Sequence, residues 1–298
     1  MADFLSHFLN LVPVTLAQSL LYAYIALGVW LPLRIIGQPD LTCEGSFPLG
    51  GCLFAALAAL GLHPVLGTVA AIAGGALAGM ATAWLYLRLR IHSLLAGILV
   101  FTMLWSIDLR LLGKPNVPVP SSVGVFDALD PRILLSNTAL GVVLAVLLVL
   151  VLGALYAFLS SERGLAMRCV GANAAIAPAL RVNVPAQVLA GFGLANAIVA
   201  GAGALLVQQQ GYADVTMGLG VLINALASLI LGEALLGRRT VLRQVLAPAV
   251  GSLVFYQLVS VALATGMNPS DLKFATGLFV VLAFALPGVR RRSAESLA

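Results

Sequence analysis

The chain has 298 residues, of which 61% are hydrophobic and only 9% are charged. A soluble domain carries about 25% charged residues, so a soluble fold of this length would lack the polar groups to cover its surface. Lipid removes this requirement, because the exposed face of a membrane-spanning helix can stay apolar. We therefore predict an all-α, polytopic integral membrane protein. Its net charge of +5 then concerns orientation in the bilayer rather than nucleic acid, which we do not expect as a partner.

A span needs roughly 20 apolar residues, and about nine such segments follow one another along the chain. We place them at 11–33, 46–62, 65–87, 93–112, 133–159, 185–207, 216–236, 244–266 and 272–288. The second is short, so we do not assume that it crosses fully. No Lys or Arg precedes Arg34, which favours a permanent first helix over a cleaved signal peptide.

The basic residues predict the orientation, because Lys and Arg concentrate on the cytoplasmic side of membrane proteins. With the N-terminus outside and nine crossings, twelve arginines fall inside. Only Arg110, Lys114, Arg132 and Lys273 fall outside. We therefore expect an outside N-terminus and a cytoplasmic C-terminus.

Two loops and one helix face stand out between these segments. A Pro-rich outer loop occupies 113–132, and an Ala-rich inner loop at 160–184 has the composition of a short helix lying on the cytoplasmic face. In the third segment, small residues recur every four positions, which predicts a seam where another helix packs closely. These residues are Gly67, Ala71, Gly75 and Gly79.

A weak internal repeat relates the two halves of the chain. Asn-x-x-Pro or Asn-x-Pro opens segments one and six, and Asp-x-Thr follows each, with offsets of 172 from Pro13 to Pro185 and 174 from Asp40 to Asp214. Under the predicted topology the halves run in opposite directions, as in the inverted repeats of transporters. The proposed division is 11–112 for the first repeat, 133–159 for a connecting helix, 160–184 for the inner loop and 185–288 for the second repeat.

Polar residues at these Asp-x-Thr sites and inside the spans are candidates for a substrate pathway, because lipid penalises them. Simple helix capping is the alternative for the Asp-x-Thr residues, and interhelical hydrogen bonding is the alternative for the Asn side chains. The pathway candidates are Asp40, Thr42, Glu44, Ser46, Asn196, Asp214 and Asn224.

The inner loop reads Gly-Leu-Ala-Met-Arg-Cys-Val-Gly-Ala-Asn over 164–173. It resembles the coupling loop of ATP-binding cassette (ABC) importer permeases of the branched-chain amino acid and ribose type, although Pro178 and Arg181 depart from the usual run. The stretch 39–50, Pro-Asp-Leu-Thr-Cys-Glu-Gly-Ser-Phe-Pro-Leu-Gly, is similar to a signature of the tryptophan/tyrosine-type permease group.

This resemblance implies a permease that moves an amino-acid-like solute across the bacterial inner membrane by alternating access. It implies three partners, namely a cytoplasmic ATPase subunit, an extracytoplasmic substrate-binding protein and a second permease copy. ATP and Mg²⁺ would be bound by the ATPase, since this chain lacks a Gly-x-x-x-x-Gly-Lys-Ser/Thr loop, and we expect no cofactor, metal or enzymatic activity here. The implied ATPase-coupling residues are Arg163, Gly164, Arg168, Gly171 and Asn173.

Two other functions stay open from the residues alone. An ion-driven secondary transporter would also have inverted repeats, but it needs a buried acidic or His relay, and carboxylates in the middle of the spans are scarce. A non-transporting scaffold is the third possibility. The inner loop likewise has an alternative as an interfacial helix whose arginines meet lipid headgroups.

Overall fold

The computed structural model describes residues 2–119, 124–126, 137–264, 274, 277 and 278. Nine α-helices have their bounds within these residues. They are α1 Ala2–Trp30, α2 Cys43–Ala59, α3 Pro64–Leu89, α4 Ser93–Leu112, α5 Asn137–Ser160, α6 Glu162–Ala172, α7 Val184–Gln210, α8 Val221–Leu236 and α9 Val241–Ala264. Two 3₁₀ turns, Ala177–Leu180 and Val215–Gly218, lie between these helices. Two short antiparallel strands, β1 Asn116–Pro118 and β2 Tyr212–Asp214, pair with each other.

Seven helices of the described chain are long and apolar enough to cross a membrane, and α2 is a shorter apolar helix. The prediction of an all-α, polytopic membrane protein is therefore confirmed. The short second segment begins at Cys43 rather than at 46, because its first turn is more polar than the rest and escapes a hydropathy criterion. The ninth predicted segment, 272–288, lies outside the described residues except at 274, 277 and 278, and half of the loop 113–132 lies outside them as well.

Helix α1 continues without a break into a π-helical segment, Leu31–Ile36. Pro32 lies in the first turn of this segment and has no N–H for the ordinary i→i−4 hydrogen bond. At the end of the segment, the Pro32 carbonyl accepts hydrogen bonds from the amides of Gly37 and Gln38. Gly37 ends the segment in the left-handed region, at φ 77°, where glycine carries no steric penalty.

Helices α1 and α7 form the centre of the bundle. The first span is 83% buried, whereas the spans of α3, α4 and α5 are 28–33% buried. Helix α1 packs against α5, α7, α8 and α9. Large apolar side chains such as Leu66, Leu77 and Val149 are exposed on the outer helices, which is the pattern that lipid contact requires.

The predicted seam on α3 is confirmed, because its glycines touch other helices. A Cβ at Gly75 would clash with the Asn196 carbonyl oxygen, and one at Gly79 would clash with that of Phe192, both on α7. Gly67 faces Phe54 of α2. Helix α9 approaches α1 as closely, since Ser252 Oγ donates a 2.8 Å hydrogen bond to the Ser19 carbonyl.

Basic residues gather at one end of the bundle, here called the basic end, where α3 ends and α4 and α7 begin. Of the basic residues in the described chain, nine lie at this end, and only Arg110 and Lys114 lie towards the other. The nine are Arg34, Arg88, Arg90, Arg163, Arg168, Arg181, Arg238, Arg239 and Arg243. The strands β1 and β2 lie at the opposite end, after α4 and α7 respectively.

Candidate functional sites

A buried polar network joins the loop 37–42 to three helices. Asn196 Nδ2 donates to Asp40 Oδ2 at 2.7 Å, and Ser46 Oγ donates to Asn196 Oδ1 at 2.8 Å. The Thr42 amide donates to Asp40 Oδ1 at 2.8 Å. The Thr42 and Thr82 hydroxyl oxygens are 2.6 Å apart and share a hydrogen bond. All five residues are buried, so the structure brings together four of the seven pathway candidates and adds Thr82.

The loop 37–42 is held inside the bundle by close backbone packing. Gly97 of α4 faces the Leu41 backbone, where a larger residue would press on the Leu41 and Thr42 amides. The buried Ser93 hydroxyl, at the start of α4, donates to Gln38 Oε1 at 3.2 Å. Irregular backbone at this depth is tolerated because it is covered by protein, where its polar groups find partners.

The network is closed in this conformation. Asn196 Nδ2 also donates to the Phe192 backbone carbonyl at 3.0 Å, so the oxygen and the nitrogen of the Asn196 side-chain amide are both engaged. Thr82 Oγ1 is 3.3 Å from the Ala78 carbonyl, to which it donates. Satisfied polar groups in a low dielectric hold a unique packing arrangement, so the network fixes how the three helices pack around the loop 37–42.

Glu44 and Asp214 have capping roles elsewhere. The half-buried Glu44 accepts hydrogen bonds from the amides of Gly220 and Leu222, at the N-terminus of α8, where a carboxylate is favoured by the helix dipole. Asp214 Oδ1 accepts from the Thr216 amide at 2.6 Å and from its hydroxyl at 2.7 Å. Asp214 therefore caps the 3₁₀ turn after β2, close to the opposite end and apart from Asp40.

Two polar residues of the second half lie outside the Asp40 network. Asn224 is half-buried on α8, where its backbone carbonyl accepts a hydrogen bond from the Ser228 hydroxyl. Gln208, near the end of α7, donates to Thr68 Oγ1 at 3.1 Å and accepts from the Val125 amide at 2.7 Å. Gln208 thus ties α3 and the segment 124–126 to α7 near the opposite end.

Sequence reasoning missed Asp108. This residue is fully buried on α4, and neither carboxylate oxygen has a hydrogen-bond partner within the described part of the chain. It lies four residues before the end of its helix, and it was not among the candidates taken from the sequence. The only sequence signal was its place on the helix face shared with Val100 and Leu104, which are also buried.

The inner loop folds as predicted into a short helix, α6, which lies against the basic end. Ser161 caps it by accepting from the Gly164 amide. Its buried face consists of Gly164, Met167 and Val170. A Cβ at Gly164 would clash with the Phe158 carbonyl at the end of α5, so this glycine permits close approach to the chain itself.

Gly171 brings α6 into direct contact with the π-helical segment. A Cβ at this position would clash with the Ile35 carbonyl oxygen. On the other side of the contact, Gly37 lies against the Gly171 carbonyl, and Gly191 of α7 faces both Ile36 and Met167. Gly171 thus faces inward, like Gly164, and its small size permits close packing within the chain.

The outward face of the loop is amphipathic. Arg163 and Leu165 are exposed, as are Ile176 and Leu180 in the following turn. Arg168 is half-buried, with Nη1 3.4 Å from the Leu159 carbonyl. Asn173 is exposed and accepts from the amides of Ala175 and Ile176, which sets the direction of the chain after α6.

An ionic cluster at the basic end joins the π-helical segment to α8, in the second half of the chain. Glu233 of α8 is 7% exposed and accepts two hydrogen bonds from Arg34, at 3.0 and 2.9 Å. It also pairs with Arg238. Glu233 thus pairs with Arg238, which lies close to it in the sequence, and through Arg34 it is tied to the π-helical segment.

The described residues contain no group of three or more His, Cys, Asp or Glu side chains placed to hold a metal ion. Cys43 and Cys52 are buried free thiols, and Cys169 is a half-buried one.

The comparisons with known proteins agree with this architecture. A family model described as the permease component of branched-chain amino acid transport systems matches residues 13–286. A tyrosine transport system permease protein of Clostridioides difficile (strain R20291) is 34% identical over 274 residues, covering 92% of this chain and 90% of that protein. An uncharacterized protein of Rickettsia prowazekii (strain Madrid E) is 29% identical over 295 residues, covering 95% of this chain and 99% of that protein. No solved structure matches the chain significantly.

We predict that Asn196→Leu destabilises the protein by about 1–3 kcal/mol, because it leaves Asp40 Oδ2 and the Ser46 hydroxyl buried without their partner. The measurement is the midpoint of unfolding of the purified chain in detergent. Asn224→Leu makes the same chemical change outside the network and should cost less. Equal shifts for the two variants would show that the Asp40 network contributes nothing special to stability.

Proposed function

The chain belongs to the family of permease components of branched-chain amino acid transport systems, and we propose that it is the membrane subunit of an ABC importer. In this proposal it moves a small amino-acid-like solute into the cell by alternating access. ATP and Mg²⁺ are bound and used by a separate ATPase subunit. The observation that carries the proposal is α6, a short helix that packs by one face on the π-helical segment Leu31–Ile36 and is exposed on the other.

The exposed face of α6 and the turn after it is the proposed docking surface for the ATPase. Leu165, Ile176 and Leu180 supply exposed apolar area, and Arg163 supplies a charge for an acidic partner. Arg168 and Asn173 hold the shape of this surface through their backbone hydrogen bonds. A substrate-binding protein is proposed to dock at the opposite end, and a second permease copy completes the complex.

The substrate class rests on similarity. A relative that is 34% identical over nearly the whole chain is named as a tyrosine permease. An amino acid, aromatic or otherwise, is therefore the proposed solute for this chain.

The two halves are proposed to be inverted repeats, comprising 11–112 and 185–288 with α5 and the α6 loop between them. Two observations support this. The third helix of the first half, α3, packs on α7, and the third helix of the second half, α9, packs on α1, as an exchange of equivalent halves requires. In addition, Asp40 and Asp214 make the same turn, each accepting from the amide two residues later.

A short series of contacts connects the docking surface on α6 with the buried network around Asp40 and Asn196. Gly171 touches Ile35, Gly37 ends the same segment, and Asp40 follows three residues later. A displacement of α6 by the ATPase therefore acts on the segment that carries the loop 37–42. Alternating access requires the network around Asp40 and Asn196 to open, and this contact is the proposed source of that opening.

The orientation follows the distribution of arginines. The basic end, with nine of the eleven described basic residues, is proposed to face the cytoplasm of a bacterial inner membrane, which places the N-terminus outside and the C-terminus inside.

Orientation is tested with single cysteines at the two ends, in a chain whose half-buried Cys169 is replaced by Ser. Tyr212→Cys, at the opposite end, should react with a membrane-impermeant maleimide added to intact spheroplasts. Leu165→Cys, on α6, should react only after permeabilisation. The reverse pattern would overturn the proposed orientation.

The transport function is tested by reconstituting the chain in proteoliposomes with its ATPase and binding protein, using radiolabelled tyrosine, tryptophan and leucine. We expect uptake of at least one of them to require internal ATP and the binding protein, and to persist with a protonophore. Uptake that needs no ATP and collapses with the protonophore would support an ion-driven transporter instead. Absence of any uptake by an assembled, ATP-hydrolysing complex would contradict an amino-acid importer.

The coupling route is tested with Gly171→Ala, which places a methyl group against the Ile35 carbonyl. We expect ATP-driven uptake to fall at least tenfold while the ATPase still copurifies, because the exposed face of α6 is unchanged. Gly153→Ala on α5 is the matched control, since a Cβ there meets nothing within 4 Å. Normal uptake by Gly171→Ala, or loss of the ATPase from the complex, would contradict a role in transmission.

A further inference from the structure

An open groove lies at the basic end, where α3 turns into α4. It has a volume of ≈ 420 Å³ and is lined by Tyr86, Leu87, Arg90, Ile91 and His92. Neither the coupling route nor the polar network uses these residues. The groove is held in shape from behind, because Ser93 bonds to Gln38 and Gly97 packs against Leu41.

The polar groups of the groove are hydrogen-bond donors. Arg90 is an exposed residue in the left-handed region, with φ 53° and ψ 32°, and it ends α3. His92 Nδ1 accepts from the Leu94 amide at 3.3 Å, so the proton of its neutral imidazole is on Nε2. The only acidic residue of α3 and α4 is Asp108, near the far end of α4, so no acidic residue of this hairpin lies beside the guanidinium.

The surface on either side of the groove is apolar. Leu89 is 56% exposed, Leu94 40% and Leu95 48%. Trp84, one turn before the groove on α3, is 55% exposed, and Trp and Tyr are enriched where membrane meets water. A ligand here must therefore present an anionic group to Arg90 and hydrocarbon to the leucines.

We propose that this groove binds an anionic phospholipid, with its phosphate on Arg90 and His92 and its acyl chains along the exposed leucines. Guanidinium groups bind phosphate through paired hydrogen bonds, and basic pockets beside membrane helices bind anionic headgroups. Through Ser93 and Gln38 the bound lipid braces the loop that carries Asp40. The proposal does not depend on the transport function.

The test is native mass spectrometry of the full chain released from micelles that contain phosphatidylglycerol and phosphatidylcholine with identical acyl chains. We expect wild-type protein to retain phosphatidylglycerol in preference to phosphatidylcholine. Arg90→Asn should reduce this retention about tenfold, because asparagine adopts the left-handed conformation but has no charge. Arg88→Asn is the matched control, since Arg88 is exposed two residues away but does not line the groove.

Arg90→Gly is a second variant that adopts the same backbone without strain, and it should lose the lipid in the same way. The unfolding midpoint of each variant is measured as well, and a midpoint equal to that of wild type shows that misfolding does not account for the loss of lipid. Equal retention of phosphatidylglycerol by wild type and both Arg90 variants would overturn the proposal. Displacement of the lipid by soluble glycerol phosphate would assign the groove to a free phosphate and also overturn it.

Discussion

The hydrogen bond from Asn196 to Asp40 is the interaction on which the centre of the protein depends. A carboxylate and an irregular loop lie among helices that face lipid, where an unpartnered polar group is costly. The loop is tolerated because Asn196, the Thr42 amide and the surrounding helices satisfy it. The same requirement explains the small residues nearby. Gly79 lets α3 approach α7 at the level of Asn196, and Gly97 lets α4 approach the loop backbone. The buried polar groups therefore find their partners only because the glycines allow the backbones to pack closely.

That constraint extends to the surface through α1. The first span, the most buried of those in the described residues, ends in a segment that touches α6 through Gly171 and the second half through the Arg34–Glu233 ion pair. Both contacts lie within a few residues of the buried loop. The proposed docking surface on α6 and the buried network around Asp40 are thus close in space, although α6 and Asp40 are far apart in the sequence. Glu233 is buried while Arg34 reaches the surface, so salt should screen this pair less than a pair in which both side chains are exposed.

Composition and hydropathy were sufficient to predict the fold class and most spans, since a lipid-facing helix must be apolar over a bilayer-length stretch. The sequence showed four polar residues in apolar surroundings, namely Asp40, Thr42, Ser46 and Asn196. Their mutual contacts could not be predicted, because one sequence does not show at which height two helices that are distant in the chain pack against each other. Thr82 was missed because a threonine can bond to its own helix and carries little polar signal. Asp108 was missed because closeness to a helix end says nothing about which way a side chain faces. Gly164 and Gly171 were attributed to a partner surface, since sequence does not distinguish the two faces of a short helix whose small residues recur at helical spacing.

The π-helical segment has a consequence for chain length. Each residue in an α-helix advances the chain by about 100°, and a π turn accommodates one residue more than an α turn. The segment Leu31–Ile36 therefore absorbs one extra residue locally, and the chain after it keeps nearly the phase that an ordinary α-helix with one residue fewer would give it. A deletion of one residue within these six positions should be tolerated better than a deletion in the body of α1. The latter would rotate Gly37 and the loop after it by about 100° relative to the helices that pack on α1.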